Sequence, residues 1–177
     1  IGYYSMRKII LLGYIGCGKS TIAVKLAKTI KIPFVDLDEK IEEKENLSIN
    51  AIFEKHGEIY FRKREHEVFV ELVNSPDQLI IGLGGGTPCY ANNHELLKGN
   101  NICSIYLKAS IDTLFERLSV NKSKRPLIAQ KNDAEMKEFI ATHLFERSFY
   151  YNQAQHNVTV DNKTVDAVVL EIMSVLA

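Results

Sequence analysis

The sequence predicts an α/β fold in three layers, with helices on both faces of a five-stranded parallel sheet. Short apolar segments alternate with helical segments along the chain, and most of these apolar segments are continuous runs. Continuous apolar strands are typical of a parallel sheet that is covered on both faces. No linker or internal repeat divides the 177 residues. With Met6 as a candidate first residue, we expect one domain over residues 6–177.

The predicted strands are buried apolar runs at 8–12, 33–35, 79–81, 102–107 and 158–160. The helices between them are predicted from apolar residues at helical spacing, such as Ile22, Leu26 and Ile30. They lie at 21–30, 40–45, 48–57, 58–73, 92–98, 111–120, 135–155 and 165–176. Residues 121–133 are polar, rich in lysine and contain Pro126, which predicts a mobile loop.

Composition narrows the classes of function. Lysine plus arginine equals aspartate plus glutamate, at 22 each, whereas a nucleic-acid binder usually carries a basic excess. No apolar run approaches the ~20 residues of a membrane span, and residues 1–5 lack the features of a signal peptide. Three cysteines without a C-x-x-C pair fit a reducing compartment. We therefore expect a cytoplasmic monomer without nucleic-acid or membrane partners.

Residues 13–20, GYIGCGKS, have the spacing G-x-x-x-x-G-K-[ST] of a phosphate-binding loop between a strand and a helix. Glycines allow backbone N–H groups to surround phosphate oxygens, and the helix N-terminus adds further donors. Lys19 would reach the outer phosphates, and the Ser20 hydroxyl would bind magnesium. The alternative is a glycine turn with a chance lysine, but strand and helix are both in register. The residues expected to contact ATP are Gly13, Gly16, Cys17, Gly18, Lys19, Ser20 and Thr21.

Cys17 lies at a helix N-terminus and close to Lys19. Both features stabilise a thiolate, so one interpretation is an activated thiol that bound nucleotide would shield from alkylation. The other interpretation is an inert small side chain.

Polar residues and glycines follow the second and third strands. Asp36 and Asp38 follow the second strand, and Gly84, Gly85 and Gly86 follow the third. Ligands of open α/β sheets bind beyond the carboxyl ends of the strands, so we expect these residues to share one site with the loop. One aspartate is suited to hydrated magnesium and the other to a substrate hydroxyl, although Asp38 as a helix N-cap is an alternative. The glycines indicate close approach to a ligand rather than a flexible turn.

Four arginines are candidates for ligand binding. Arg62 lies in a charged helix, where a solvated surface with ion pairs is the alternative to carboxylate binding. Arg125 is suited to closing over the triphosphate, with a basic surface loop as the alternative. Arg147 lies beside aromatic residues, where an anion anchor and an ion pair with a neighbouring acid are both reasonable. Arg117 would stack on adenine or lie on a helix surface.

The five histidines have no metal-ligand spacing with one another or with cysteine. We interpret them as surface or hydrogen-bonding residues. We expect Mg²⁺ to be held by Ser20, phosphate oxygens and water rather than by a protein cage.

Further motifs together resemble those of the shikimate kinases, from about Lys8 to the end of the chain. They are D-L-D at 36–38, G-E-I-Y-F-R-K-R-E at 57–65, G-G-G at 84–86, R-P-L at 125–127 and E-R-S-F-Y at 146–150. The resemblance implies a P-loop kinase fold with a mobile lid at about 119–133 and an acceptor-binding segment at about 38–65. It also implies transfer of the ATP γ-phosphate to the 3-hydroxyl of shikimate, in aromatic amino-acid biosynthesis.

The resemblance implies roles for single residues as well. Those implied for shikimate are Asp38, Arg62, Arg147 and the backbone of Gly84, Gly85 and Gly86. Lys19 and Ser20 would contact ATP and magnesium, with Asp36 in the outer shell of the metal. Arg125 would lie on the closing lid, and Arg117 would stack on the adenine.

The chain differs from the family pattern at two places. Cys17 replaces a smaller side chain, and residues 122–125 lack a glycine pair, which implies a stiffer lid. The alternatives are another small-molecule kinase, such as a gluconate or nucleoside monophosphate kinase, and a nucleotide-sensing module without catalysis. Paired arginines with three glycines favour a small acceptor with a carboxylate. The presence of Lys19, Asp38 and Arg125 favours catalysis.

Overall fold

The computed structural model describes residues 8–177, and it confirms the three-layer α/β fold. The strands are β1 (Lys8–Leu12), β2 (Phe34–Asp36), β3 (Leu79–Gly82), β4 (Ile102–Lys108) and β5 (His156–Thr159). They form one parallel sheet in the order β2-β3-β1-β4-β5. The candidate start at Met6 lies outside the described residues.

Within residues 8–177, six α-helices connect and cover the strands. They are α1 (Lys19–Ile30), α2 (Leu37–Glu45), α3 (Ile49–Asn74), α4 (Ile111–Ser119), α5 (Asp133–Tyr151) and α6 (Val165–Leu176). Three short 3₁₀ segments accompany them, at Thr87–Cys89, Asn93–Leu97 and Lys122–Lys124. None of the helices within residues 8–177 has the length and apolar character needed to cross a membrane.

The core lies on both sides of the central strands. Every residue of β1 and of β3 is buried, which is the reason that both read as continuous apolar runs. Lys8 is buried too, and its ammonium group donates to the carbonyl oxygens of Ser75 (2.8 Å) and Asp77 (2.5 Å) in the turn before β3. Those hydrogen bonds offset part of the cost of desolvating the charge.

Several boundaries differ from the predictions for local reasons, but the break at Gly57 does not. Gly57 has φ +84° and ψ 172°, which are not helical values, so α3 consists of two helical segments that meet at a kink there, as predicted for 48–57 and 58–73. The segment predicted as helix at 92–98 is a 3₁₀ turn, Asn93–Leu97. Helix α5 begins earlier than predicted because Asn132 and Glu135 form a capping box.

The predicted loop at 121–133 contains defined turns. It holds the 3₁₀ segment Lys122–Lys124, and the carbonyl oxygen of Arg125 accepts from the N–H groups of Ile128 and Ala129. The loop therefore has local hydrogen-bonded structure of its own.

Three neighbouring strands end side by side, and this positions the site. Gly82 on β3 pairs with Leu11 on β1 and with Asp36 on β2. The segments that follow these three strands therefore lie at one edge of the sheet. That edge brings together the phosphate-binding loop, the start of α2 and the three glycines after β3.

Candidate active site

The phosphate-binding loop has the backbone that its glycines predict. Gly16 and Gly18 have φ values of +93° and +89°, which side-chain-bearing residues rarely adopt. At Gly13, a Cβ would lie 2.8 Å from both Cys17 Sγ and the Leu107 carbonyl oxygen. Residues 14–21 line a cavity of about 270 Å³. Helix α1 begins at Lys19, so its first N–H groups lack partners within the helix beside this cavity.

The Cys17 side chain is buried, although residue 17 also contributes to the wall of the loop cavity. It is 1% exposed, and its Sγ lies against Gly13. Burial raises the pKa of the Cys17 thiol, and the nearby charges of Lys19 and Arg117 only partly oppose this. Burial and the raised pKa both favour the inert small side chain over the activated thiol.

The three glycines after β3 each face one of the charged side chains predicted for the acceptor. A Cβ at Gly84 would lie 3.2 Å from both carboxylate oxygens of Asp38. A Cβ at Gly85 would lie 3.1 Å from Arg147 Nη1, and one at Gly86 would lie 3.0 Å from Arg62 Nη2. The backbone thus runs close against three charged groups, and a Cβ at any of the three glycines would require the facing group to shift by a few tenths of an ångström.

Asp38 lies in the first turn of α2, and it is not the N-cap of that helix. The cap is Asp36, whose Oδ1 accepts from the Glu39 N–H at 3.0 Å. Burial raises the pKa of Asp38 to about 6, and the charges of Asp36 and Glu65 add to this increase while Lys19 opposes it. The carboxylate is ionised at neutral pH but binds a proton more readily than an exposed aspartate.

Arg62 is held on three sides. Its guanidinium carbon lies 3.8 Å from the centroid of the Tyr90 ring, and Nη1 donates to the two carboxylate oxygens of Glu65 at 3.0 and 3.3 Å. Its Nε is buried and lies 3.9 Å from Glu58 Oε1 in an ion pair, but it has no hydrogen-bond partner among the described residues. The guanidinium therefore keeps donor capacity for a ligand.

Glu65 is the residue that the sequence interpretation missed. It lies in the charged helix for which a solvated surface is the alternative interpretation, but it is 1% exposed, and burial raises its pKa while Arg62 opposes this. A charged surface with ion pairs is the correct interpretation for Arg64 in the same helix. Its guanidinium forms ion pairs with Glu45 and Glu67. The helical spacing of the apolar residues could have indicated that Glu65 is buried, because Glu65 lies on the same face of α3 as they do.

Arg147 contacts aromatic groups rather than an acid. Its Nη1 donates to the Tyr151 hydroxyl at 3.4 Å, and its guanidinium carbon lies 5.6 Å from the Tyr14 ring centroid. The Tyr151 hydroxyl in turn donates to the Gly85 carbonyl oxygen at 2.5 Å. Within residues 8–177 no acidic side chain forms an ion pair with Arg147, so the ion-pair alternative is wrong.

A cavity of about 550 Å³ joins the loop at 121–133 to these residues. Its walls include Gly85, Gly86 and Arg147 on one side and Arg125 and Ile128 on the other. Arg125 Nε is buried there without a hydrogen-bond partner among the described residues. Arg125 and Arg147 thus line the same cavity.

Tyr14 and His143 also line this cavity and were not predicted as part of it. The Tyr14 hydroxyl and His143 Nδ1 lie 2.9 Å apart, which links the phosphate-binding loop to α5. Burial and the charge of Arg147 lower the pKa of His143. The interpretation of the histidines as hydrogen-bonding residues is confirmed here and at His66, which bonds to Asn93.

Arg117 lies on the outer side of the loop, where Nη1 donates to the carbonyl oxygens of Cys17 (2.9 Å) and Gly16 (3.3 Å). Beside it is a groove of about 260 Å³ that Gly18 and Thr21 also line. The opposite wall comes from the segment after β5 and the start of α6, which the sequence interpretation did not include. Its members are Val160, Lys163, Thr164, Val165 and Val168.

Comparisons with known proteins agree on one family. The family model described as shikimate kinase matches residues 15–177. The chain is 67% identical to a shikimate kinase of Flavobacterium johnsoniae over 172 residues, which cover 97% of this chain and 100% of that protein. It is 47% identical to a shikimate kinase of Flavobacterium psychrophilum over 171 residues, 97% of this chain and 99% of that protein.

Solved structures agree as well. The crystal structure of a shikimate kinase from Bacteroides thetaiotaomicron matches with a TM-score of 0.86 and 32% identity, over 96% of this chain and 97% of that chain. A shikimate kinase from Acinetobacter baumannii in complex with shikimate matches with a TM-score of 0.84 and 29% identity, over 98% of this chain and 94% of that chain.

The raised pKa of Asp38 predicts a pH-dependent effect on folding. An unfolded aspartate has a pKa of about 3.9, and folding raises that of Asp38 to about 6. Its charge therefore destabilises the folded protein fully above pH ~6, and this effect disappears as the pH falls towards ~4. We expect Asp38→Asn to raise the free energy of unfolding at pH 8, by on the order of 2 kcal/mol, and not at pH 4.

Denaturant unfolding of the nucleotide-free protein at both pH values measures this. Asp77→Asn is the matched control because its side chain is exposed, and we expect no comparable gain from it. An Asp38→Asn variant that is no more stable than the parent at pH 8 would contradict the electrostatic interpretation.

Proposed function

The chain belongs to the shikimate kinase family, and we propose which of its residues carry out the reaction of that family. This reaction is the transfer of the ATP γ-phosphate to the 3-hydroxyl of shikimate, which gives shikimate 3-phosphate and ADP. The observation that most strongly supports this proposal is that each of three consecutive glycines faces one charged side chain. These side chains are Asp38, Arg147 and Arg62. Two cations and one anion suit an acceptor that has one carboxylate and several hydroxyls.

In this proposal Arg62 and Arg147 bind the carboxylate of shikimate across Gly85 and Gly86. Guanidinium groups donate two parallel hydrogen bonds to a carboxylate, which fixes its orientation as well as its charge. Among the described residues, Arg62 Nε has no hydrogen-bond partner and pairs with Glu58 only at 3.9 Å, and Arg147 has no acidic partner. Both features support this role. The backbone of Gly84 lies where the acceptor hydroxyls would approach Asp38.

We assign Asp38 as the base that accepts the proton of the attacking 3-hydroxyl. A pKa of about 6 leaves it ionised at neutral pH while keeping its proton affinity higher than that of an exposed aspartate. Protonation of Asp38 would remove the base, so activity should fall as the pH drops through about 6.

Lys19, the loop N–H groups and Arg125 would hold the triphosphate and stabilise the charge of the transferred group. Phosphoryl transfer depends mainly on such positioning and electrostatic stabilisation. The shared cavity of Arg125, Arg147 and Gly86 supports a lid at about 119–133 that closes over an acceptor held by residues of about 38–65. Closure would exclude water and so limit hydrolysis of ATP.

Magnesium fits the donors at the end of the loop. Within residues 8–177 no group of three or more His, Cys, Asp or Glu side chains could hold a metal ion. Ser20 follows Lys19 at the start of α1, and Asp36 keeps one carboxylate oxygen beyond the one that caps α2. Ser20 and Asp36 would hold Mg²⁺ together with phosphate oxygens and water, and the ion would neutralise phosphate charge.

The groove beside Arg117 is the proposed adenine site, with Arg117 on one wall and the segment after β5 on the other. We also propose that the enzyme acts as a cytoplasmic monomer. A single chain supplies every group that the reaction needs, and Cys17, Cys89 and Cys103 are all free thiols, as in a reducing compartment.

An ADP-release assay tests the function directly. We expect ADP from ATP and magnesium to appear at a rate that depends on shikimate, and not with gluconate or nucleoside monophosphates. Asp38→Asn should lower turnover at least 100-fold while ATP still binds, since the nucleotide contacts are elsewhere. Equal ADP release with and without shikimate would contradict the proposal.

Gly86→Ala tests the acceptor site without touching the loop. The backbone at Gly86 is αR, which alanine adopts, but its Cβ would lie 3.0 Å from Arg62 Nη2. The flexible guanidinium must move, so we expect the KM for shikimate to rise about 10-fold while thermal stability and the KM for ATP change little. An unchanged KM for shikimate would show that the position of Arg62 does not determine acceptor binding.

A further inference from the structure

Thr87 is the first residue after the three glycines, and its side chain is 0% exposed. It begins the 3₁₀ segment Thr87–Cys89, and its hydroxyl donates to Glu65 Oε2 at 2.8 Å. The hydroxyl also lies beside the acceptor backbone, because a Cβ at Gly84 would be 3.1 Å from Thr87 Oγ1. Thr87 therefore contacts the carboxylate that holds Arg62.

The Glu65 carboxylate is buried, and it needs donors to remain ionised. Arg62 Nη1 and the Thr87 hydroxyl are its two hydrogen-bond donors among the described residues. The other ionisable groups around it are Asp38 on α2 and Cys89 on the 3₁₀ segment, and neither donates to it. A buried carboxylate that loses one of two donors is strongly destabilised in its charged form.

Thr87 is itself fixed from the other side. Its carbonyl oxygen accepts from Asn93 Nδ2 at 2.9 Å, and Asn93 Oδ1 lies 2.6 Å from His66 Nδ1. Asn93 is buried, and His66 adjoins Glu65 on α3. The hydrogen bonds thus run from α3 to the 3₁₀ segments and back to α3, which leaves the Thr87 hydroxyl little freedom.

We propose that Thr87 is a positioning residue for the acceptor: its hydroxyl keeps Glu65 ionised and oriented, and Glu65 in turn keeps Arg62 facing Gly86. This inference rests on the proposed role of Arg62 in binding the carboxylate of shikimate. Among the described residues, the hydrogen bonds of Thr87 go to Glu65, Gly84, Tyr90 and Asn93 and none goes to the phosphate-binding loop, so its influence falls on the acceptor half of the site.

The test compares Thr87→Val, which has the same shape without the hydroxyl, with Thr87→Ser, which keeps it. We expect Thr87→Val to raise the KM for shikimate about 10-fold at pH 8, with kcat and the KM for ATP within about twofold of the parent. The increase should grow between pH 8 and pH 6, because Glu65 without the hydroxyl takes up a proton more readily and then releases Arg62. Thr87→Ser should behave like the parent.

Thr87→Ala also removes the hydroxyl but changes the packing differently. It should raise the KM for shikimate as Thr87→Val does, and it replaces the valine variant in the test if that variant does not fold. An unchanged KM for shikimate in the valine or alanine variant would overturn the proposal. Equal damage in the serine variant, or a parallel loss of kcat and ATP affinity, would overturn it in favour of a general packing role. Failure of the parent enzyme to use shikimate would instead overturn the proposed function.

Discussion

The acceptor half of this site depends on one steric constraint, the absence of side chains at Gly84, Gly85 and Gly86. Asp38 and the two arginines come from three helices, and each lies within about 3 Å of the space that a Cβ would occupy. Any side chain there would displace a charged group, so the backbone is the surface on which the groups are assembled. Three neighbouring strands that end at one level of the sheet bring the phosphate-binding loop to the same place.

Charges of both signs are packed around these glycines. The acidic residues are Asp36, Asp38 and Glu65, and the basic residues are Lys19, Arg62 and Arg147. Burial of Asp38 raises its pKa, repulsion from Asp36 and Glu65 adds to this increase, and Lys19 opposes it. A site that stabilised this carboxylate fully would make it a weaker base. The local loss of stability thus falls on the residue that we propose as the base, and such losses are common at functional sites.

Sequence reasoning succeeded where one residue type has one dominant explanation. Continuous apolar runs identified β1, β3 and β4, and the glycines at 16 and 18 have the positive φ values that their motif requires. It failed where the outcome depends on packing between distant segments. The buried carboxylate of Glu65 has one of its donors on Thr87, 22 residues further along the chain, and the buried thiol of Cys17 has a raised pKa. The residues next to Glu65 and Cys17 in the sequence do not reveal this burial.

The roles assigned to Arg62 and Arg147 make the carboxylate of the acceptor the group that determines binding. Isothermal titration of the nucleotide-free enzyme with shikimate and with its methyl ester tests this most directly, because the ester keeps every hydroxyl and removes the charge. We expect the ester to bind at least about 30-fold more weakly than shikimate, because charge-assisted hydrogen bonds to both guanidinium groups are lost. Equal affinities for the acid and the ester would contradict it.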